Sequence, residues 1–215
     1  AEAGLVPEFS TFPAGAPQVA AAQAKAWDVG GTGSVPAVLG AARFGLVTIG
    51  ITNDESKANV LMVRADKFDA VKKDPFIIKG QKILLTTNST GDYSVQACLK
   101  KWGIAKADVQ LVNLGQAQII SAVSSNNGDF AGVWAPNNYT LGEKANAKLL
   151  CSGKEAGPGI GQLLCHEAVA RIAVLFKKVS SHSPCPGCCN TLTECTVKCV
   201  AEFDIGFASA QKVIA

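Results

Sequence analysis

The feature that most constrains this chain is a buried strand that runs into a loop of small hydroxyl residues and then opens a helix. The segment is Gly80-Gln81-Lys82-Ile83-Leu84-Leu85-Thr86-Thr87-Asn88-Ser89-Thr90-Gly91-Asp92-Tyr93. Ile83 to Leu85 is an apolar run of strand length, and Thr86 and Thr87 extend it with β-favouring residues. Ser89 or Thr90 is placed to cap a helix that carries Val95, Cys98, Leu99 and Trp102 at helical spacing. Strand, small-residue loop and helix N-terminus together make an anion cradle. The first-turn N–H groups lack intrahelical acceptors, and the positive end of the helix dipole favours negative charge. Most loops of this kind are plain strand-to-helix connections, so the reading depends on what faces this one.

A second loop of the same kind lies earlier. Trp27-Asp28-Val29 is a short buried strand, Gly30-Gly31-Thr32-Gly33-Ser34 a glycine-rich loop, and Pro36 a residue suited to a first helical turn. Thr32 and Ser34 supply hydroxyls there. Before it, Glu8 to Phe12 is expected to be a short strand, and Pro17 to open an Ala-rich helix through Ala26. Strands are expected at Gly45 to Thr52, Lys57 to Arg64 and Val109 to Leu114, and helices at Asp66 to Asp74 and Gln116 to Ser124. Gly128 to Pro136 is a further buried strand, ending in Trp134. Val169, Ile172, Phe176 and Val179 fall at the spacing of an amphipathic helix. This alternation of strands and helices predicts an α/β fold with parallel sheets. The stretches at Trp27 to Gly31 and Gly128 to Gly132 partly repeat, each following a helix and leading to a Pro-containing loop. Two similar lobes would set Thr32 to Ser34, Ser89 to Asp92 and Trp134 to Pro136 around one cleft, beyond the carboxyl ends of strands.

Composition narrows the function classes. With 215 residues, 48% hydrophobic and only 17% charged, the chain is core-rich and long enough for one large domain or two lobes. A net charge of +3 without a Lys/Arg block argues against nucleic acid as a partner. The longest apolar stretch, Val35 to Ile51, is interrupted by Arg43 and glycines, so direct membrane insertion is not expected. No initiator Met or signal peptide stands at the start, and any targeting segment would have been removed.

Eight cysteines favour an oxidising compartment: periplasm, extracellular space or an organelle lumen. Five of them, Cys185, Cys188, Cys189, Cys195 and Cys199, form a tight cluster and are the disulfide candidates. The spacing C-x2-C…C-x3-C also matches zinc ligands, but the pairs are closer than in the usual finger and Cys189 is left over. Free thiols are the remaining alternative, and no pairing follows from sequence. No metal or cofactor is assigned. His166 and His182 have no Ser, Cys or carboxylate at a catalytic spacing, so no triad is assigned. Trp27 and Trp102 suit core positions, whereas Trp134 at a strand end suits a ligand wall.

Five pieces, in this order, resemble the type II periplasmic solute-binding proteins of ABC importers, in the branch for nitrate, taurine, alkanesulfonates and thiamine-precursor pyrimidines. They are Phe12-Pro13-Ala14-Gly15, Asp28 to Pro36, Lys79-Gly80-Gln81-Lys82-Ile83, Ser89-Thr90-Gly91, and Asp129-Phe130-Ala131-Gly132-Val133-Trp134-Ala135-Pro136. The resemblance implies a two-lobed α/β fold, with residues 1–64 and 157–215 in the first lobe and 65–156 in the second. It implies that Thr32, Ser34, Ser89, Thr90 and Gly91 hold an anion and that Trp134 packs on its organic part. A strand and helix that precede Glu8 in that family are missing, so the first lobe reads as incomplete, either trimmed or lost. The position after Trp134, often acidic in the family, is Ala135. The Cys185–Cys199 segment, read as a helical C-terminal addition, has no counterpart in it.

The function expected from this reading is non-catalytic capture of a small anionic organic solute, sulfonate-, taurine- or nitrate-like, for uptake with a membrane transporter. The alternative is a binding-protein fold reused as a structural or assembly subunit of a larger organellar membrane complex, for example in a thylakoid lumen, with the cysteine-rich tail as partner surface. An enzymatic reading, such as a pyrimidine-precursor synthase, lacks the His and Cys constellation it needs.

Overall fold

A computed structural model of the chain describes residues 8–156 and the strand 171–177. Helix α1 (Gly15–Gln23) leads into β1 (Val29–Thr32), α2 (Ser34–Phe44) and β2 (Leu46–Asp54). A turn at residues 55–59 carries the chain into β3 (Val60–Arg64), α3 (Ala65–Lys73), β4 (Lys82–Leu85) and α4 (Thr90–Lys101). Then follow β5 (Gln110–Asn113), α5 (Gln116–Ser124), β6 (Phe130–Val133), α6 (Asn137–Ala145), β7 (Ala147–Ser152) and, later, β8 (Arg171–Lys177).

The strands form two sheets, of order β1-β8-β2 and β5-β4-β6-β3-β7. In the larger sheet every residue of Val60-Leu61-Met62-Val63 is buried. Leu61 and Val63 join Ile83, Leu85, Phe130 and the α4 residues Val95 and Leu99 on one face. Val60 and Met62 join Leu84, Val133 and residues of α5 and α6 on the other. Both faces are therefore covered by helices, which is why these strands are apolar at successive positions rather than alternating. The smaller lobe buries Val19 and Ala22 of α1 against Ala37 of α2 and Leu46 of β2.

Several expectations need correction. The sheets are not parallel throughout: β4 runs parallel to β5 and β6, but β3 is antiparallel to β6 and β7, and β8 is antiparallel to β1 and β2. Strand β3 lies in the larger sheet, between β6 and β7. Glu8 to Phe12 is irregular rather than a strand. The helix expected around residues 169–179 is the strand β8 over its described part. Its Ile172 to Phe176 run satisfies both periods, and pairing with β1 on one side and β2 on the other decides for the strand. Helix α6 and strand β7 were not anticipated, since Asn137-Asn138-Tyr139-Thr140 carries little helical signal. Cys185, Cys188, Cys189, Cys195 and Cys199, with His166 and His182, lie outside the described residues.

A disulfide joins Cys98 on α4 to Cys151 on β7, with both residues buried and 53 positions apart. Sequence reading treated Cys98 only as an apolar position on the helix face. Closing a loop of that length restricts the unfolded chain and, by loop entropy, contributes about 4 kcal/mol. The double substitution Cys98→Ala/Cys151→Ala should therefore lower the urea-unfolding free energy by about 3–5 kcal/mol, part of it from lost packing. A change below about 1 kcal/mol would show that the bridge does not secure α4.

Candidate functional site

The carboxyl ends of β1, β4 and β6 and the irregular segment before α1 enclose a cavity of about 360 Å³. Three helices start at it. Gly15 of α1, Gly33 at the N-cap of α2, and Ser89 with Thr90 at the start of α4 all line it. Neither Ala14 nor Gly33 caps its helix with a side chain, and neither α1 nor α2 has an acid in its first turn. The first-turn N–H groups thus have no acceptor within their own helices, and the positive dipole ends of α1 and α2 are not offset there.

Each predicted residue has a definite place. Thr32 is 5% exposed and lines the cavity, yet its Oγ1 has no hydrogen-bond partner among the described residues. Ser34 is fully buried and its Oγ is likewise without a partner, although it does not line the cavity. A buried hydroxyl left unpaired costs about 1–3 kcal/mol, so Thr32, on the cavity wall, marks a place that a ligand can satisfy. Ser89 is committed locally: its hydroxyl donates to Thr86 O at 2.7 Å and accepts from Asp92 N at 3.0 Å. It is the helix cap that the sequence suggested, and its lining contribution is mainly shape. Thr90 Oγ1 accepts from Val35 N at 3.5 Å, a bond between the two lobes.

Gly91 lies beneath Trp134 rather than on the cavity wall. A Cβ at Gly91 would come within 3.2 Å of the indole, so the missing side chain is what lets Trp134 lie on the first turn of α4. Trp134 is half-buried and lines the cavity. Its neighbour Ala135 donates its N–H to Ala58 O at 3.2 Å, which ties the loop to the inter-lobe turn. Gly33 has a similar role: a Cβ there would come 2.5 Å from Thr90 Oγ1. The starts of α2 and α4 can touch only because that position is bare. The structure therefore brings Thr32, Ser89, Thr90 and Trp134 to one cavity, with Ser34 and Gly91 behind its wall.

Sequence reasoning missed the opposite wall, made by Ser10 to Gly15 and by Glu55 and Asn59. Among the described residues Glu55 is the charged residue of the lining. Its backbone oxygen accepts from Ala58 N and Asn59 N, and its Oε2 accepts from Asn59 Nδ2 at 3.3 Å. Burial pushes its carboxyl above the usual value of 4.5; the Asn59 hydrogen bond works the other way, and the Asp54 charge adds to the rise. Nothing in Asn53-Asp54-Glu55-Ser56 forms a motif, so only the crossing between lobes reveals this residue.

The sign of the stability effect follows. The folded chain holds the Glu55 proton more tightly than the unfolded chain does, so this group costs stability above its raised pKa. That cost disappears as pH falls below the usual 4.5. Without ligand, Glu55→Gln should melt above wild type at pH 7, and the gap should close as pH is lowered through that range. Melting curves across pH test this; a gap independent of pH would contradict it.

No protein-family model matches the chain. It is 29% identical over 157 residues to the taurine-binding periplasmic protein of Escherichia coli K12, covering 73% of this chain and 47% of that protein. To the putative aliphatic sulfonates-binding protein of the same organism it is 28% identical over 126 residues, covering 58% and 39%. The chain thus spans about half the length, or less, of the curated relatives it matches. Among solved structures, the alkanesulfonate-binding protein SsuA from Xanthomonas axonopodis pv. citri, bound to MOPS, superposes with a TM-score of 0.62 at 22% identity. That match covers 78% of this chain and 53% of the other. The Escherichia coli aliphatic sulphonate binding protein SsuA gives 0.61 at 23% identity, covering 77% and 52%. The homologues of this chain are taurine- and aliphatic-sulfonate-binding periplasmic proteins, and its α/β fold is that of the SsuA-like binding proteins of ABC importers.

Proposed function

We propose that the chain captures a small organic anion with a sulfonate-type head group in the cavity between its lobes, without chemical change, as a solute-binding component of ABC import. The observation that carries this reading is the unpartnered Thr32 hydroxyl, buried at a cavity on which three helix N-termini converge. A sulfonate presents three acceptor oxygens and one charge, which suits N–H and O–H donors and dipole ends without a Lys or Arg. Trp134 offers an apolar face to the organic part. Periplasmic location and the membrane components of an ABC transporter as partners come with the same reading. The relatives are periplasmic by name, and the buried Cys98–Cys151 bridge suits an oxidising compartment.

Capture works by closure. In this structure the lobes already touch through Gly33, Val35 and Thr90. Separating them would open the cavity, and a bound anion would favour contact by satisfying donors from both lobes at once. Thermal-shift measurements with taurine, alkanesulfonates, nitrate and pyrimidines test the reading. A sulfonate at about a hundred times its Kd should raise Tm by about 5–10 °C. Trp134→Ala should keep the circular-dichroism spectrum and lose most of that shift. No shift with any of these solutes, together with co-purification in a large complex, would favour the structural-subunit alternative instead.

A further inference from the structure

Among the described residues the cavity carries one charged side chain, and its sign is the wrong one for an anion. Glu55 faces the same space as the starts of α1, α2 and α4, and no Lys or Arg among the described residues lines that space. Among the described residues no cation pairs with its carboxylate; the partner is the neutral amide of Asn59 at 3.3 Å. The carboxylate is also well placed to act on a ligand. Residue 55 begins the turn that crosses from the first lobe to the second, and that turn is fastened to the end of β7. Gly153 N donates to Asn59 O and Lys154 N to Ser56 O, each at 2.9 Å. Asn59 is 2% exposed and holds both the backbone and the side chain of Glu55.

A plain alkanesulfonate in this cavity gains the helix dipoles at one end and meets a like charge at the other. Repulsion between like charges is little screened in a partly buried site. A solute with a cationic nitrogen at the far end from its anion turns the same carboxylate into an attraction. We propose that Glu55 is the charge-selecting residue of the pocket, giving it a preference for zwitterionic amino-sulfonates over alkanesulfonates of the same size. This rests on the sulfonate-capture reading and narrows it. The anion sits at the helix starts beside Thr32, the ammonium sits at Glu55, and Trp134 covers the carbon chain between them.

Taurine and 1-propanesulfonate differ by an ammonium in place of a methyl and serve as the matched pair. Calorimetric titration of the 215-residue chain should show taurine binding at least about tenfold more tightly, the scale of one hydrogen-bonded charge pair. In Glu55→Gln, which preserves the Asn59 hydrogen bond, the ratio should fall to within about twofold, with propanesulfonate bound no more weakly than by wild type. Glu55→Asp, which keeps the charge, should retain a preference for taurine. Equal binding of the two sulfonates by wild type would overturn the proposal while leaving sulfonate capture standing. So would an undiminished preference in a folded Glu55→Gln protein, as expected if Glu55 serves only to hold Asn59. If neither sulfonate binds wild type, the capture reading and the proposal fall together.

Discussion

The first turn of a helix presents N–H groups that its own backbone cannot satisfy, and in this protein three such turns open on one cavity. Two of these starts, those of α1 and α2, are left bare by sequence, whereas Ser89 caps α4. Ala14 and Gly33 carry no capping side chain, and Gly33 is also the point at which α2 and α4 come together. The two lobes therefore meet where their unsatisfied donors are concentrated. Beside them Thr32 Oγ1 is buried on the cavity wall and unpaired among the described residues, a donor that an entering acceptor could satisfy. The rest of the architecture serves to hold these ends in place.

The larger lobe supplies most of the rigidity. Its central strands are buried on both faces, α4 is packed on β3 and β6 through Val95 and Leu99, and a disulfide fixes the far half of α4 to the edge strand β7. The helix start that faces the cavity is thus anchored from behind. The inter-lobe turn is anchored to the same sheet through Asn59 and Ser56, and Trp134 through Ala135. Glu55, Trp134 and the start of α4 consequently form one fixed wall. Thr32, Gly33 and Gly15 belong to the other lobe.

Local chemistry was legible in the sequence. Small hydroxyl residues after a strand identified the loop before α4, the spacing of Val95, Cys98 and Leu99 identified α4, and Trp134 stood out because a large aromatic ended a buried strand; the expected loop Gly30 to Ser34 is instead the end of β1 and the start of α2. What resisted was whatever depends on partners far away in the chain. Ser89 and Thr90 look equivalent as donors, yet one hydroxyl is spent on its own helix cap and the other faces Val35 of the opposite lobe. Ile172 to Phe176 has an apolar run that fits either a helix face or a strand, and only the open edges of β1 and β2 decide between them. Glu55 is an ordinary turn residue until the crossing between the lobes places it in the cavity. Cys98 and Cys151 are unremarkable singly and become a bridge because β7 lies beside α4.

On the sulfonate-capture reading, the uncapped starts of α1 and α2 and the buried Thr32 hydroxyl serve an anion rather than stability. Thr32→Val removes that hydroxyl while keeping the branched shape that β1 requires. Urea unfolding of the ligand-free variant, paired with calorimetric titration of the best-binding sulfonate, separates the two roles. Sulfonate capture at Thr32 predicts a variant more stable than wild type by about 1 kcal/mol and an affinity weaker by about tenfold. A variant that is less stable, or that binds the sulfonate as tightly as wild type, would contradict it.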